Sequence, residues 1–196
     1  IPFPLDNKHV TYVWFDALIN YYTAVKDNQY WPANLHLLGK DNAWFHCVYW
    51  PAMLKSAGIE LPLKVFNHGF LTFNGKKISK SLGNAISASI LVKRYGADAI
   101  RYFCLRHFPF GDDGDFSEDS LIERHNSELA DKLGNLVSRV SALVEKYGLE
   151  ETEPLDISET KKKVEDHLNK LEFDKALNVI FAFVDHCNEY VQTKKP

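Results

Sequence analysis

The chain has 196 residues, a formal net charge of -3 and 45% hydrophobic residues, enough apolar material for a packed core. A mean hydropathy of -0.27, without an apolar run of membrane-spanning length, argues against a transmembrane segment, and the sequence after Ile1 does not resemble a signal peptide. Cys47, Cys104 and Cys187 are far apart and form no C-x-x-C pair, which is typical of reduced thiols. We therefore expect a soluble, globular, cytoplasmic protein.

Charge is distributed unevenly along the chain. Between residues 64 and 107 there are eight Lys and Arg residues but a single acidic one, Asp98. Such an excess suits an anionic partner. A solvated basic face is the simpler interpretation of charge taken alone.

The first third of the chain predicts alternating strands and helices. Residues 11–16 form a β-branched and aromatic run that predicts a buried strand, and a helix is predicted to follow at residues 17–26. Further strands are predicted at residues 35–38 and 64–68, separated by a segment of helical length, residues 43–57. This alternation is typical of a parallel α/β sheet.

The segment from residue 69 to residue 83 differs in character. Residues 70–73 predict a strand, Asn74-Gly75 is a turn signal, and a loop rich in Lys and Ser follows. Beyond it, two short helices are predicted at residues 86–95 and 97–106, before an acidic, turn-rich stretch at residues 109–119.

Two apolar stripes with helical spacing run through the remainder of the chain. Their members are Leu121, Leu129, Leu133, Leu136, Val140, Leu143 and Tyr147 in the first, and Val164, Leu168, Leu171, Leu177, Phe181, Val184 and Val191 in the second. A linker containing Pro154 separates them. We therefore predict two long antiparallel helices of a bundle, and an overall fold class of α/β followed by all-α.

The clearest chemical signal is the Lys- and Ser-rich loop. It contains Lys77, Ser79 and Lys80 within the run K-I-S-K-S-L-G-N. Two ammonium groups in a loop of small residues can neutralise charge that develops on pyrophosphate during adenylyl transfer. A K-x-x-K pair by itself is usually a solvated turn, so the neighbouring sequence must decide.

The run resembles the KMSKS signature of class I aminoacyl-tRNA synthetases, with Ile78 in place of Met. Three further motifs resemble the methionyl-tRNA synthetases in order and spacing. They are Y-V-W-F-D-A-L-I-N-Y at residues 12–21, G-K-D-x-x-x-F-H-x-x-x-W-P-A-x-L at residues 39–54, and His68-Gly69. The resemblance covers the whole chain.

The resemblance implies a role for particular residues. It implies that Lys77 and Lys80 are catalytic, and that the ATP site contains Gly39, Asp41, His68, Gly69, Lys77, Ser79 and Lys80. It implies a methionine pocket that contains Trp14, Ala17, Leu18, Tyr21 and His46. The residues that it implies for anticodon reading are Asn135, Arg139 and Asn188. No metal ligands are implied in this chain, because Mg²⁺ arrives with ATP as substrate. The implied partners are tRNA(Met), methionine, ATP and an N-terminal half of the same enzyme, with no membrane.

Each of these assignments has a structural alternative. Trp14 and Tyr21 are otherwise core aromatics, His46 a core histidine, and Asp41 a helix N-cap. The pair Asn135 and Arg139, one helical turn apart, is otherwise a solvated polar face, and it is expected to be more exposed than its apolar neighbours Leu133, Leu136, Val137 and Val140.

The sequence also departs from the family. It contains neither a His-Ile-Gly-His motif nor the first Rossmann half and metal-binding knuckle that precede Ile1 in the family, and it ends before a Trp that follows Pro196 there. The resemblance implies three domains: residues 1–68, the second half of a Rossmann domain; 69–116, a KMSKS loop and stem-contact region; and 117–196, a truncated anticodon-binding bundle. The chain alone is then expected to be an inactive fragment of a methionine-tRNA ligase. A noncatalytic tRNA-binding module and an interaction domain with a decayed site remain open alternatives.

Overall fold

The computed structural model describes residues 3–78, 87–151, 153 and 155–194. The chain divides into two compact units, Ile1–Phe70 and Leu71–Pro196, each with a hydrophobic core of its own. Within these described residues, no helix combines the length and the apolar character that crossing a membrane requires.

The first unit is built around a pair of parallel strands. Its elements are α1 (Val13–Ala17), α2 (Asn20–Thr23), β1 (His36–Gly39), a 3-10 turn (Lys40–Asn42), a π-helix (Phe45–Tyr49), α3 (Trp50–Ser56) and β2 (Val65–His68). β1 and β2 pair in a register that sets Gly39 opposite His68. The predicted parallel α/β arrangement is confirmed, and the carboxyl ends of both strands lie at the same edge.

The prediction of a strand at residues 11–16 is wrong. This segment leads into the helix α1, where the backbone N–H of Leu18 donates to the carbonyl of Trp14 at 3.1 Å. The side chains of Val13 and Phe15 are more than half exposed, with 53% and 61% of their surface accessible. Aromatic and β-branched residues favour a strand only where neighbouring strands cover them, and here β1 pairs with β2 instead. The helix predicted at residues 17–26 is reduced to α2.

The core of the first unit joins the end of α1 to α3. Leu18, Trp50 and Leu54 are almost completely buried, and half-buried aromatic and aliphatic side chains such as Trp31 and Phe45 pack around them. Trp50 and Leu54 lie one helical turn apart and therefore present the same face of α3. This packing positions the helices next to the strand ends.

The second unit combines a small sheet with helices. Its elements are β3 (Leu71–Phe73), β4 (Lys76–Lys77), α4 (Ala88–Tyr95), α5 (Ala97–Arg106), β5 (Gly114–Phe116), α6 (Glu118–Arg124), a π-helix (His125–Gly134), α7 (Asn135–Tyr147), α8 (Ser158–Asn169) and α9 (Phe173–Lys194). β3 lies in the middle of the sheet, antiparallel to β4 and parallel to β5. Most of the unit is helical.

The turn between β3 and β4 confirms the prediction made from Asn74-Gly75. Both residues have positive φ, 49° and 70°, a conformation that Asn and Gly adopt most readily. The carboxylate of Asp115 accepts hydrogen bonds from the backbone N–H of Gly75, at 2.7 Å, and from the Thr72 hydroxyl. Both bonds lower the pKa of Asp115, and the bond from the Thr72 hydroxyl has the larger effect. The acidic stretch that was predicted as turns therefore contains a strand, β5, which fixes the hairpin.

A buried carboxylate connects three helical segments of the second unit. Glu128 is 7% exposed and accepts hydrogen bonds from Arg106 at 2.9 Å, from Arg124 at 2.9 Å and from the hydroxyl of Tyr102. Burial by itself raises the pKa of Glu128, but the hydrogen bonds from Tyr102, Arg106 and Arg124 together lower it. The charge of this glutamate is thus fully partnered inside the fold.

The two long helices predicted from the apolar stripes are observed only in part. The first stripe covers α6, the π-helix and α7, and α6 begins where the Ser117 hydroxyl accepts from the N–H of Ser120 at 3.1 Å. The second stripe is broken into α8 and α9, which pack against each other. The break lies at Leu171, which has a φ of 61°, and a hydrogen bond joins His167 Nδ1 to the Glu172 carboxylate across it at 2.7 Å.

Candidate functional site

Three of the residues predicted for the ATP site meet at the carboxyl edge of the parallel strand pair. Gly39 ends β1, His68 ends β2 opposite it, and Asp41 follows in the 3-10 turn. A Cβ atom on Gly39 would lie 2.8 Å from Asp41 Oδ1 and 3.9 Å from the His68 ring. Gly69 is buried directly after them, and its carbonyl lies 2.8 Å from His68 Nδ1. Ligands of parallel α/β sheets bind beyond this edge.

Gly39→Ala is expected to displace the Asp41 carboxylate, because the new methyl group would lie too close to it, 2.8 Å from Oδ1. In the intact protein we expect about tenfold weaker nucleotide binding, the loss of roughly one good hydrogen bond to a charged group. Isothermal titration with ATP measures it. In an Asp41→Ala background the glycine substitution should cost clearly less, because only crowding of the sugar remains; an equal loss in both backgrounds would contradict a role that acts through Asp41.

A hydrogen-bonded Tyr–His pair forms the second part of the site. The Tyr21 hydroxyl lies 2.9 Å from Nε2 of His46, and Nδ1 of His46 lies 3.0 Å from the carbonyl of Asn42. Because a carbonyl only accepts, Nδ1 of His46 donates to it, and in the neutral tautomer that this bond selects Nε2 accepts from the Tyr21 hydroxyl. His46 is 3% exposed and belongs to the π-helix, whereas Tyr21 is 44% exposed. The pair thus presents a fixed phenol group to solvent.

The predicted methionine-pocket residues do not all line one cavity. Trp14 and Leu18 line an apolar cavity of about 740 Å³, in which the Trp14 and Phe45 rings lie 5.5 Å apart. Tyr21 lines a second cavity of about 430 Å³. Ala17 is half-buried at the end of α1. Trp14 and Leu18 thus line one cavity, Tyr21 bonds His46 beside another, and Trp50, which packs with Leu18 and whose ring lies 6.1 Å from that of Tyr21, connects the two pairs.

The Lys-rich loop is described only at its start. Lys77 is the last residue of β4, within the hairpin that Asp115 fixes. Ser79 and Lys80 lie outside the described residues. Sequence reasoning did not identify Asp115, whose only signal was its place in an acidic stretch.

The two asparagines predicted to read the anticodon donate to backbone carbonyls of the second π-helix. The Asn135 amide donates to the carbonyl of Asp131 at 2.7 Å, and the Asn188 amide donates to that of Lys132 at 3.2 Å. Among the residues that the structure describes, the exposed guanidinium of Arg139 makes no hydrogen bond or ion pair. The asparagines therefore stabilise the junction between the π-helix and α7, and Arg139 is the candidate with a free donor group.

The burial contrast predicted for α7 is wrong. Asn135 and Arg139 are exposed, but so are Val137 and Val140, with 57% and 42% of their surface accessible. Leu133 is 38% exposed and Leu136 is half-buried. The physical reason is that neighbouring described helices cover little of α7, which has no fully buried residue.

No metal site is visible in the described part of the chain, where no three His, Cys, Asp or Glu side chains are grouped so that they could hold an ion. The three cysteines are free thiols; Cys47 is exposed, and Cys104 and Cys187 are half-buried. Burial raises the pKa of the Cys104 thiol, which favours its unreactive form.

Comparisons with known proteins agree on one family. The family model described as tRNA synthetases class I (M) matches residues 1–141. Methionine--tRNA ligases of Clostridium tetani and Thermotoga maritima are 45% and 44% identical to the chain over its whole length, which corresponds to 34% of each relative. A crystal structure of Mycobacterium tuberculosis methionyl-tRNA synthetase bound by methionyl-adenylate has a TM-score of 0.85 at 39% identity, and the match covers 98% of this chain and 42% of that chain. The chain thus spans about a third of the length of these curated relatives.

Proposed function

Because this chain belongs to the class I (M) tRNA synthetase family, we propose that the intact protein activates methionine with ATP and transfers it to tRNA(Met). The observation that carries the proposal is the cluster of Gly39, Asp41 and His68 at the carboxyl edge of the parallel strands. A carboxylate held there accepts hydrogen bonds from ribose hydroxyls, and the glycine leaves room for the sugar.

Methionine activation needs positioning rather than a protein nucleophile. The substrate carboxylate attacks the α-phosphate of ATP, which gives methionyl-adenylate and pyrophosphate, and the terminal adenosine of the tRNA then displaces AMP. Lys77 and Lys80 stabilise the charge that grows on the phosphates, and Mg²⁺ accompanies ATP. Ser79 and Gly69 complete the proposed nucleotide site.

The methionine side chain is recognised by an aromatic and hydroxyl-bearing surface. Trp14 offers a ring face of the kind that contacts a thioether favourably, and Tyr21 offers a hydroxyl whose direction is set by His46. Ala17 and Leu18 contribute apolar surface. We propose that binding of the substrate brings these two pairs of residues around one ligand.

We propose the same three domains that the sequence implies. Residues 1–68 form the second half of a Rossmann domain, residues 69–116 a KMSKS loop and stem-contact region, and residues 117–196 an antiparallel anticodon-binding bundle. Exposed apolar side chains of α1 support an additional N-terminal half that covers them and supplies the His-Ile-Gly-His motif. Charging of purified tRNA(Met) with radiolabelled methionine by the intact protein tests the proposal; failure to charge it would refute it.

Arg139→Ala is expected to weaken tRNA recognition by about 1–3 kcal/mol, because its exposed guanidinium, which makes no hydrogen bond or ion pair with a described residue, can donate to an anticodon base. The measurement is kcat/KM for methionylation of tRNA with a CAU anticodon and with a changed anticodon. Lys146→Ala is the matched control, an equal charge that is also exposed on α7. If wild type and Arg139→Ala discriminate equally between the two tRNAs, Arg139 does not read the anticodon.

A further inference from the structure

His36, the first residue of β1, is a buried histidine with no role in the proposed chemistry. It is 7% exposed, and its Nε2 atom is buried without a hydrogen-bond partner among the described residues. Buried polar atoms nearly always have a hydrogen-bond partner, so a buried nitrogen without one needs an explanation. Burial, and secondarily the nearby His46, lower the pKa of His36, which is therefore a neutral aromatic ring near pH 7.

The ring of His36 lies against the buried side of Tyr21. The two ring centroids are 4.7 Å apart with an interplanar angle of 67°, an edge-to-face geometry. The ring centroid of His46 lies 5.9 Å from that of His36, and His46 forms a hydrogen bond with the hydroxyl of the same tyrosine. Tyr21 is thus held at two points, by a hydrogen bond at its oxygen and by ring packing along its side, where the Trp50 ring also lies, with its centroid 6.1 Å from that of Tyr21.

Both points are needed because Tyr21 is 44% exposed. The hydrogen bond to His46 fixes the position of one atom but leaves the ring free to lean toward solvent. Packing against His36 removes that freedom. The direction of the Tyr21 hydroxyl consequently depends on both histidines.

We propose that His36 is a positioning residue for the substrate amino acid: its ring packs against Tyr21, so that the Tyr21 hydroxyl points in the direction that methionine binding requires. The inference rests on the proposed function, because it takes Tyr21 as part of the methionine pocket. His36 itself does not touch the substrate. Its contribution should therefore appear only while Tyr21 has a hydroxyl to be directed.

A double-mutant cycle in the intact protein tests this coupling. Methionine dissociation constants are measured by equilibrium dialysis for wild type, His36→Ala and His36→Phe, each with Tyr21 present or replaced by Phe. Edge-to-face pairs are worth about 0.5–1.5 kcal/mol, so His36→Ala should raise the dissociation constant about three- to tenfold. His36→Phe, which keeps a flat ring, should stay within about twofold of wild type, since it preserves that packing. In the Tyr21→Phe background, His36→Ala should change it less than about twofold.

Leu54→Ala is the control for general loss of packing, since Leu54 is 1% exposed in the same core and bears no contact role toward substrate. Its effect should be equal in both Tyr21 backgrounds. If His36→Ala fails to fold, as judged by thermal unfolding, His36→Leu takes its place with the same expectations. The inference is overturned if His36→Phe raises the methionine dissociation constant as much as His36→Ala does. It is also overturned if His36→Ala raises that constant equally with Tyr21 and with Phe at position 21. Wild type that binds no methionine would instead refute the proposed function itself.

Discussion

Glu128→Ala is expected to destabilise the protein by about 3–5 kcal/mol, the usual cost of removing one partner of a buried ion pair. The side chains of Glu128 and Arg106 are only 10% and 13% exposed, and Arg124 is 28% exposed. Without the carboxylate, two guanidinium groups of like charge and the Tyr102 hydroxyl lose the acceptor that they share. Urea unfolding of the intact protein measures the loss.

Glu123→Ala is the matched control, because Glu123 is an exposed glutamate on the neighbouring helix α6. This substitution should lower the free energy of unfolding by less than about 0.5 kcal/mol.

The pH dependence of the free energy of unfolding gives a second check on Glu128. Since the pKa of Glu128 is lowered in the fold, its stabilisation is complete above the ordinary glutamate pKa of about 4.3 and is lost as the pH falls through the folded value. Equal stability of the Glu128 and Glu123 variants would contradict this account.

Lys80→Ala is expected to lower the rate of methionyl-adenylate formation by about 10²–10³-fold, the typical cost of removing one donor that stabilises transition-state charge. Methionine affinity should change little, because this contact strengthens only as negative charge moves onto the pyrophosphate. Pre-steady-state adenylate formation by the intact protein, together with methionine binding, separates the two effects.

Lys76→Ala provides the control, since it removes an equal charge from an exposed position in the hairpin that precedes the loop. It should leave the adenylation rate within about threefold of wild type, because an exposed charge that has no contact with the phosphates is screened by salt. A collapse of methionine affinity with an unchanged rate would show that Lys80 has a different role.

The parts of the fold that sequence predicted well are those with redundant local signals. The two strands ending at Gly39 and His68 have β-branched or apolar runs and clear stops, and Asn74-Gly75 adopts the positive φ values that its residue types favour. The same holds for the helix break at Gly96, where φ is 84°. In each case composition and backbone geometry agree.

The errors arise where tertiary context decides. Residues 11–16 have strand propensity, but the structure places their side chains on a short, largely exposed helix. Leu171, two residues beyond the end of α8, has a φ of 61°, which costs energy for a residue with a side chain, and no Gly or Pro marks the break. The π-helices are also invisible to a 3.6-residue pattern, so the carbonyls of Asp131 and Lys132 that the two asparagines bond were not anticipated.

The sequence predicts which residue types form the candidate site, but it does not predict the contacts that hold them in place. Motifs selected Asp41, Tyr21 and His46, whereas the brace that His36 provides and the hairpin anchor at Asp115 depend on residues distant in sequence. Neither has a local signature, because an isolated His or Asp is more often structural.

The most direct test of the proposed function is amino-acid-dependent exchange of labelled pyrophosphate into ATP by the intact protein, with each of the standard amino acids supplied in turn. The proposal predicts exchange with methionine and only background exchange with leucine, isoleucine and valine, because the pocket provides the Tyr21 hydroxyl and aromatic faces rather than a purely aliphatic surface. Exchange that depends on another amino acid, or no exchange with methionine, would contradict it.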